Sequence, residues 1–169
     1  MKGQNLLGLG VLLVGVTLGV ACANDVEESP ELETGLPSDF RIELRRTGCF
    51  GGCPVYRAEL SADCKVRFKG TKFVYATGVH HGEAVPNTAA RLAVELAESG
   101  FMDLTQEEVD DCPEELTDHS SVYLTVRMNG RENSIRYYYG CRGKDVHTML
   151  ERLAARVDVV LQTGQWVTR

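Results

Sequence analysis

Apolar and charged residues alternate through Phe40-Arg41-Ile42-Glu43-Leu44, the period-two signature of a strand with one buried face. Val55–Leu60 reads as a second strand, Ser61-Ala62-Asp63 as the turn after it, and Lys65-Val66-Arg67-Phe68 as a third. Gly70 then leads to Phe73-Val74-Tyr75, a fourth strand that runs out at Gly78. The period changes next. Leu92 and Leu96 lie one helical turn apart, Asn87 or Thr88 can cap the start, and Gly100 stands where a helix end favours a left-handed residue. Phe101 and Leu104 are placed to pack back onto that helix, and Thr105 with Glu108 has the spacing of a capping box. Val122–Val126 and Ser134–Tyr139 flank Asn129-Gly130, the strongest hairpin signal in the chain. From Asp145 to Leu161, Val146, Met149, Leu150, Leu153, Val157 and Val160 line one helical stripe. The order strands, helix, strands, helix predicts a two-layer α+β fold. Its antiparallel sheet, a meander plus a C-terminal hairpin, is packed by two main helices in one domain over 40–169.

A different pattern precedes this domain. Lys2 gives a small positive start and Leu6–Val20 a Gly-rich apolar run, long enough for a signal-peptide core and short for a membrane span. The run ends in Leu18-Gly19-Val20-Ala21-Cys22, which resembles the lipobox of bacterial lipoproteins, with Gly19 in place of the usual aliphatic residue. The expectation is a signal peptide over 1–21, cleavage before Cys22 and acylation of its thiol. The alternative is cleavage after Ala21-Cys22-Ala23, which would release a soluble periplasmic or secreted protein. Residues 22–39 carry Asp25, Glu27, Glu28, Glu31 and Glu33 with Pro30 and Pro37, the composition of a self-repelling tether. The whole chain has a formal net charge of −6, and removing Lys2 with the signal leaves 17 basic residues against 24 acidic. An acidic chain without a run of Lys and Arg argues against nucleic acid and against anionic lipid headgroups as partners. The partners expected are the membrane, through the lipid anchor, and an envelope protein or small ligand. Ala23 after Cys22 offers no Asp at the position that often signals inner-membrane retention, so the chain leaves the choice of membrane open.

The segment Thr47-Gly48-Cys49-Phe50-Gly51-Gly52-Cys53-Pro54-Val55-Tyr56 resembles the T-x-C-x-G-x-C-P-x-Y signature of a bacterial envelope family catalogued as domain of unknown function number 6438. The likeness continues through Gly78-Val79-His80, Gly100-Phe101 with Leu104, Asp118, Asn129-Gly130, Tyr138-Tyr139-Gly140 and the last helix. It implies no reaction, ligand or cofactor. Cys64 stands where that family usually has a turn glycine, and Cys112 and Cys141 are additions to its pattern.

Cysteines in an exported chain are read first as disulfide candidates. With Cys22 acylated, five remain, so at least one is unpaired or intermolecular. Cys49 and Cys53 flank a Gly-Gly loop that can fold back, and Cys112 with Cys141 would close a long loop worth about 3–4 kcal/mol. Cys64 is then left over, and its pairing with Cys112 or Cys141 stays open. A sharper reading makes Cys49 and Cys53 a redox pair, with Arg45, Arg46 and Arg57 lowering a thiol pKa. Against it, the spacing is C-x-x-x-C and a strand follows, so no helix dipole acts on the pair. No metal site is expected: His80 and His81 would point to opposite faces of a strand, and paired C-x-x-C spacing is absent.

Asp118-His119-Ser120-Ser121 holds the residue types of a serine hydrolase, but sequence neighbours cannot relay protons in a triad, and a loop before the Val122 strand is the reading adopted. Asp110-Asp111 and Glu114-Glu115 lack the ordered spacing of a calcium loop. His80, Tyr137 and Tyr139 are the candidates to face a ligand, should the sheet be concave there. No phosphate loop, nucleophile elbow or catalytic carboxylate pair is visible, and no cofactor is expected. The leading expectation is a non-enzymatic envelope lipoprotein domain that binds or scaffolds a partner; the alternative is a periplasmic thiol–disulfide protein working through Cys49 and Cys53.

Overall fold

The computed structural model describes residues 35–168. Cys22, the 1–21 segment and most of the acidic tether lie outside them. The strands are β1 (Arg41–Arg46), β2 (Val55–Ser61), β3 (Lys65–Lys72), β4 (Gly78–Glu83), β5 (Glu114–Glu115), β6 (Ser121–Met128), β7 (Arg131–Tyr138) and β8 (Cys141–Arg142). The helices are α1 (Pro86–Glu98), α2 (Gln106–Asp110), α3 (Asp145–Val160) and α4 (Gly164–Val167), with a 3₁₀ turn at Phe101–Asp103.

Six strands form one antiparallel sheet in the order β4-β3-β2-β1-β6-β7. The fold is α+β. Period-two alternation puts Ile42, Leu44, Ala58, Leu60, Val66 and Phe68 on one face, each 2% exposed or less. Onto that face pack Leu92 and Leu96 of α1 and Leu150, Leu153, Ala154 and Val157 of α3. The opposite face carries Glu43, Arg45, Arg57, Glu59, Arg67 and Lys69, and none of the described helices covers it. The β6–β7 hairpin turns at Asn129 (φ 53°) and Gly130 (φ 73°), the left-handed pair that a two-residue turn demands. The capping box at Thr105 and Glu108 is formed.

Four details differ from the sequence reading. Strand β3 runs through Gly70 to Lys72, and Phe73–Tyr75 is not a strand. Phe73 takes φ 53°, and Tyr75 N and Ala76 N donate to Val167 O and Trp166 O, so this apolar run pairs with the C-terminal segment instead of the sheet. The fourth strand begins at Gly78, where the sequence reading ended it. Val85 occupies the N-cap position of helix α1 without a side-chain cap, and Pro86 stands in its first turn, so Asn87 and Thr88 lie inside the helix; the fixed φ of proline and its missing N–H suit that position. A small sheet of β5 and β8 joins Glu114–Glu115 to Cys141–Arg142, too short to leave a pattern.

The tether also ends earlier than Asp39. Leu36 packs against the core, and Asp39 accepts hydrogen bonds from Asn129 N (2.9 Å) and Gly130 N (2.7 Å), clamping the hairpin turn. The Gly130 bond is the main reason the Asp39 carboxyl is held below the usual carboxylate range. A lowered folded-state pKa means its stabilisation is present above the ordinary carboxylate pKa and is lost as pH falls through the lowered value. Asp39→Ala is therefore expected to melt below the parent at neutral pH. Thermal melts from about pH 5 to about pH 2 should show the gap closing; a gap independent of pH would count against the clamp.

Candidate functional site

The loop between β1 and β2 is the focus of the sequence signals, and its geometry is set from both ends. At the near end, Ser121 N donates to Thr47 Oγ1 (2.8 Å) and Thr47 N to Ser121 O (2.9 Å), joining the end of β1 to the start of β6. Cys49 and Cys53 are bonded, with Cα atoms 5.6 Å apart, which closes the turn between them. Phe50 N donates to Asp118 O (3.3 Å), tying the loop to its neighbour, while the Phe50 ring is 89% exposed. Both cysteines are half-buried, and Cys53 is followed by Pro54 and β2, so no helix begins at the pair.

At the far end Tyr56, on the covered sheet face, donates to Asp158 Oδ1 of α3 (2.6 Å). Asp158 also accepts from Arg46 Nε (2.9 Å) and NH2 (2.6 Å) and from Thr163 Oγ1 (2.7 Å), and Arg46 NH1 donates to Tyr139 OH (2.6 Å). Burial opposes the Arg46 charge, but Asp158 beside it more than offsets this and holds the guanidinium above its ordinary pKa. Burial, and then the Asp158 charge, push the Tyr56 phenol up, so it stays a donor. Arg46 therefore faces α3 and does not reach toward the cysteines. The sequence reading missed Asp158 and Thr163. The available signal was a lone carboxylate between Val157 and Val160 on an apolar stripe.

The second bond joins Cys112 and Cys141, Cα atoms 5.2 Å apart, beside β8. Cys141 is buried against His147, whose Nε2 lies 3.0 Å from Val109 O and whose ring stacks on Tyr137. Cys64 is free and buried at φ 60°, the left-handed turn position where the resemblance expects glycine; burial, then Asp63, push its thiol up.

The three candidate ligand-facing residues are spent within the fold. Tyr137 is 2% exposed, and its hydroxyl donates to Cys141 O, so it cannot face a ligand; α3 covers the sheet face on which a concave site was expected. Tyr139 is engaged by Arg46. His80 Nε2 lies 2.9 Å from Thr77 O, and its ring stacks on Trp166, which also covers Phe68 and Gly82. Among the described residues no hydrogen bond links the His119 ring to Asp118, Ser120 or Ser121, and His119 instead meets the Tyr138 ring edge-on. Among them, too, no three His, Cys, Asp or Glu side chains converge as a metal site would require, and no helix is long and apolar enough to cross a membrane.

Beside the disulfide loop, on the open sheet face, lies a depression of about 490 Å³ bordered by Arg45, Thr47, Arg57, Arg67, Lys69 and Thr71. These residues come from three adjacent strands and the start of the loop after β1, and only the pleat brings them together.

No curated protein shows significant similarity to the chain. Residues 40–157 match the family model described as "Domain of unknown function (DUF6438)".

Proposed function

Starting from the fact that the chain belongs to this family, we propose that it is an exported envelope lipoprotein, anchored through acylated Cys22, whose domain binds or scaffolds a partner and catalyses no reaction. The observation that supports this reading is the division of labour in Thr47–Tyr56. Thr47 and Tyr56 hold β1 and β2 to Ser121 and α3, the disulfide closes the loop, and Phe50 projects from it into solvent. A rigid loop presenting an exposed ring suits contact with a partner, because little conformational entropy is lost when it docks. The lipobox-like Leu18–Cys22 and the oxidising use of cysteine support the location.

One observation favours the thiol–disulfide alternative: Cys49 and Cys53 are half-buried, not sealed. Mass spectrometry of the mature protein after alkylation, with and without mild reductant, separates the two. On the binding reading, the Cys49–Cys53 bond survives mild reductant, and Cys49→Ser lowers stability while leaving the thiol–disulfide exchange rate of the sample at background. Selective reduction of Cys49–Cys53 while Cys112–Cys141 persists would sink the binding reading and support exchange. An acyl-chain mass on Cys22 that disappears in Cys22→Ser is the expected result for the anchor; a mature chain beginning after Ala23 would refute it.

A further inference from the structure

We propose that the depression on the open sheet face is a binding site for a small phosphate-bearing ligand, with Arg45 and Lys69 as its principal contacts. In the sheet register Arg45 stands opposite Arg57, and Arg57 opposite Lys69, so three cations form one row across β1, β2 and β3. Like charges placed directly opposite on neighbouring strands destabilise a sheet. Contacts within the fold offset this repulsion only in part, and a bound anion would offset the rest.

The acidic residues nearby neutralise only part of it. Glu43 forms an ion pair with Arg57 at 3.3 Å. Glu59 is held by Arg41 at 2.6 Å and lies 3.4 Å from Arg67, so its charge is shared between two arginines. Arg45 and Lys69 have no ion-pair partner among the described residues, and the Thr71 hydroxyl beside Lys69 has no hydrogen bond there. Two uncompensated cations match the roughly −1.5 to −2 charge of a phosphate monoester at neutral pH.

Arg45 is also preorganised. Its guanidinium lies over the ring of Tyr123 on the neighbouring strand β6, 3.7 Å from the centroid, which restrains the side chain at the edge of the depression. Lys69 adds a mobile point charge two strands away, and Thr71 a hydroxyl donor. The volume of about 490 Å³ lies in the range of small-ligand sites. A free phosphate ester and an anionic phospholipid headgroup share this chemistry, and the two sources are separable.

The test uses the full chain carrying Cys22→Ser, so that no acyl chain contributes. Titration calorimetry with pyrophosphate and glycerol phosphate, and co-sedimentation with phosphatidylglycerol or phosphatidylcholine vesicles, are compared across three proteins. These are the parent, R45Q/K69Q and the control R91Q/R142Q, which removes two exposed cations elsewhere. The expected result is saturable binding by the parent and the control, weakened about tenfold or more in R45Q/K69Q. The melting temperature of R45Q/K69Q should stay within a few degrees of the parent, because relief of the like-charge row is opposed by loss of the Arg45 stacking on Tyr123. Binding of the free phosphates identifies a soluble ester. Binding of phosphatidylglycerol vesicles alone, with the same dependence on Arg45 and Lys69, identifies the headgroup. Absence of both, or equal weakening in R45Q/K69Q and the control, overturns the site.

Discussion

Replacing Asp158 by Ala is expected to destabilise the domain by about 2–4 kcal/mol, among the largest effects of any single polar substitution in it. The carboxylate accepts four hydrogen bonds, two from Arg46 and one each from Tyr56 and Thr163. Its loss strands the Arg46 guanidinium, whose side chain is only 19% exposed, against the apolar layer. Removing one partner of a largely buried pair costs far more than the pair contributes net, because the remaining charge is left desolvated. The residual exposure of both groups keeps the figure below that of a sealed pair. Replacing both partners with apolar side chains, as in R46M/D158L, is accordingly expected to be milder than D158A alone. Urea denaturation of D158A, and of D158L, R46M and R46M/D158L as a closed cycle, measures this. Additive losses across the cycle would show that the pair is not coupled.

Gly70→Ala is expected to be comparably severe, about 3 kcal/mol, and to lower the melting temperature by roughly 10 °C. A Cβ at Gly70 would fall under 3.0 Å from the Ala76 carbonyl oxygen and the Val74 side chain. Ordinarily a nearby loop would shift. Here Tyr75 and Ala76 are hydrogen-bonded to Val167 and Trp166, and Trp166 is stacked on Phe68 at 5.0 Å, so relief at Gly70 has to displace the C-terminal segment from the core. Thermal melts of G70A and W166A test the coupling. G70A melting within a degree or two of the parent would mean that the 73–76 segment is free to move.

These two sites mark where the sequence could and could not be read. Periodicity and turn chemistry were sufficient for the strands that alternate, for the Asn129-Gly130 hairpin, for the capping box at Thr105 and for the long helix α3. In each case the determinant is local: a two- or 3.6-residue period, or a residue type that a backbone angle requires. The resemblance to the family began at Thr47–Tyr56 and continued through short motifs as far as the last helix, and it holds over 40–157. Phe73–Tyr75 misled because strand-forming composition says what a segment can do, not which partner it meets, and here the C-terminal backbone took the hydrogen bonds.

The candidate sites divide the same way. Local sequence was enough to nominate Cys49 and Cys53 as a pair, because four residues with two glycines can close on themselves. It could not find Asp158 beneath Arg46, which is 112 residues away. It also could not show the cationic row, whose members are scattered among acidic neighbours along the chain. Alternate residues of three strands share a face only once the register is set, and that register comes from burial of the opposite face. What the sequence determined by itself was most of the elements, their order and the chemistry each could contribute. Which charges meet was decided only by tertiary pairing, because electrostatic neighbours in a sheet lie across strands and not along them.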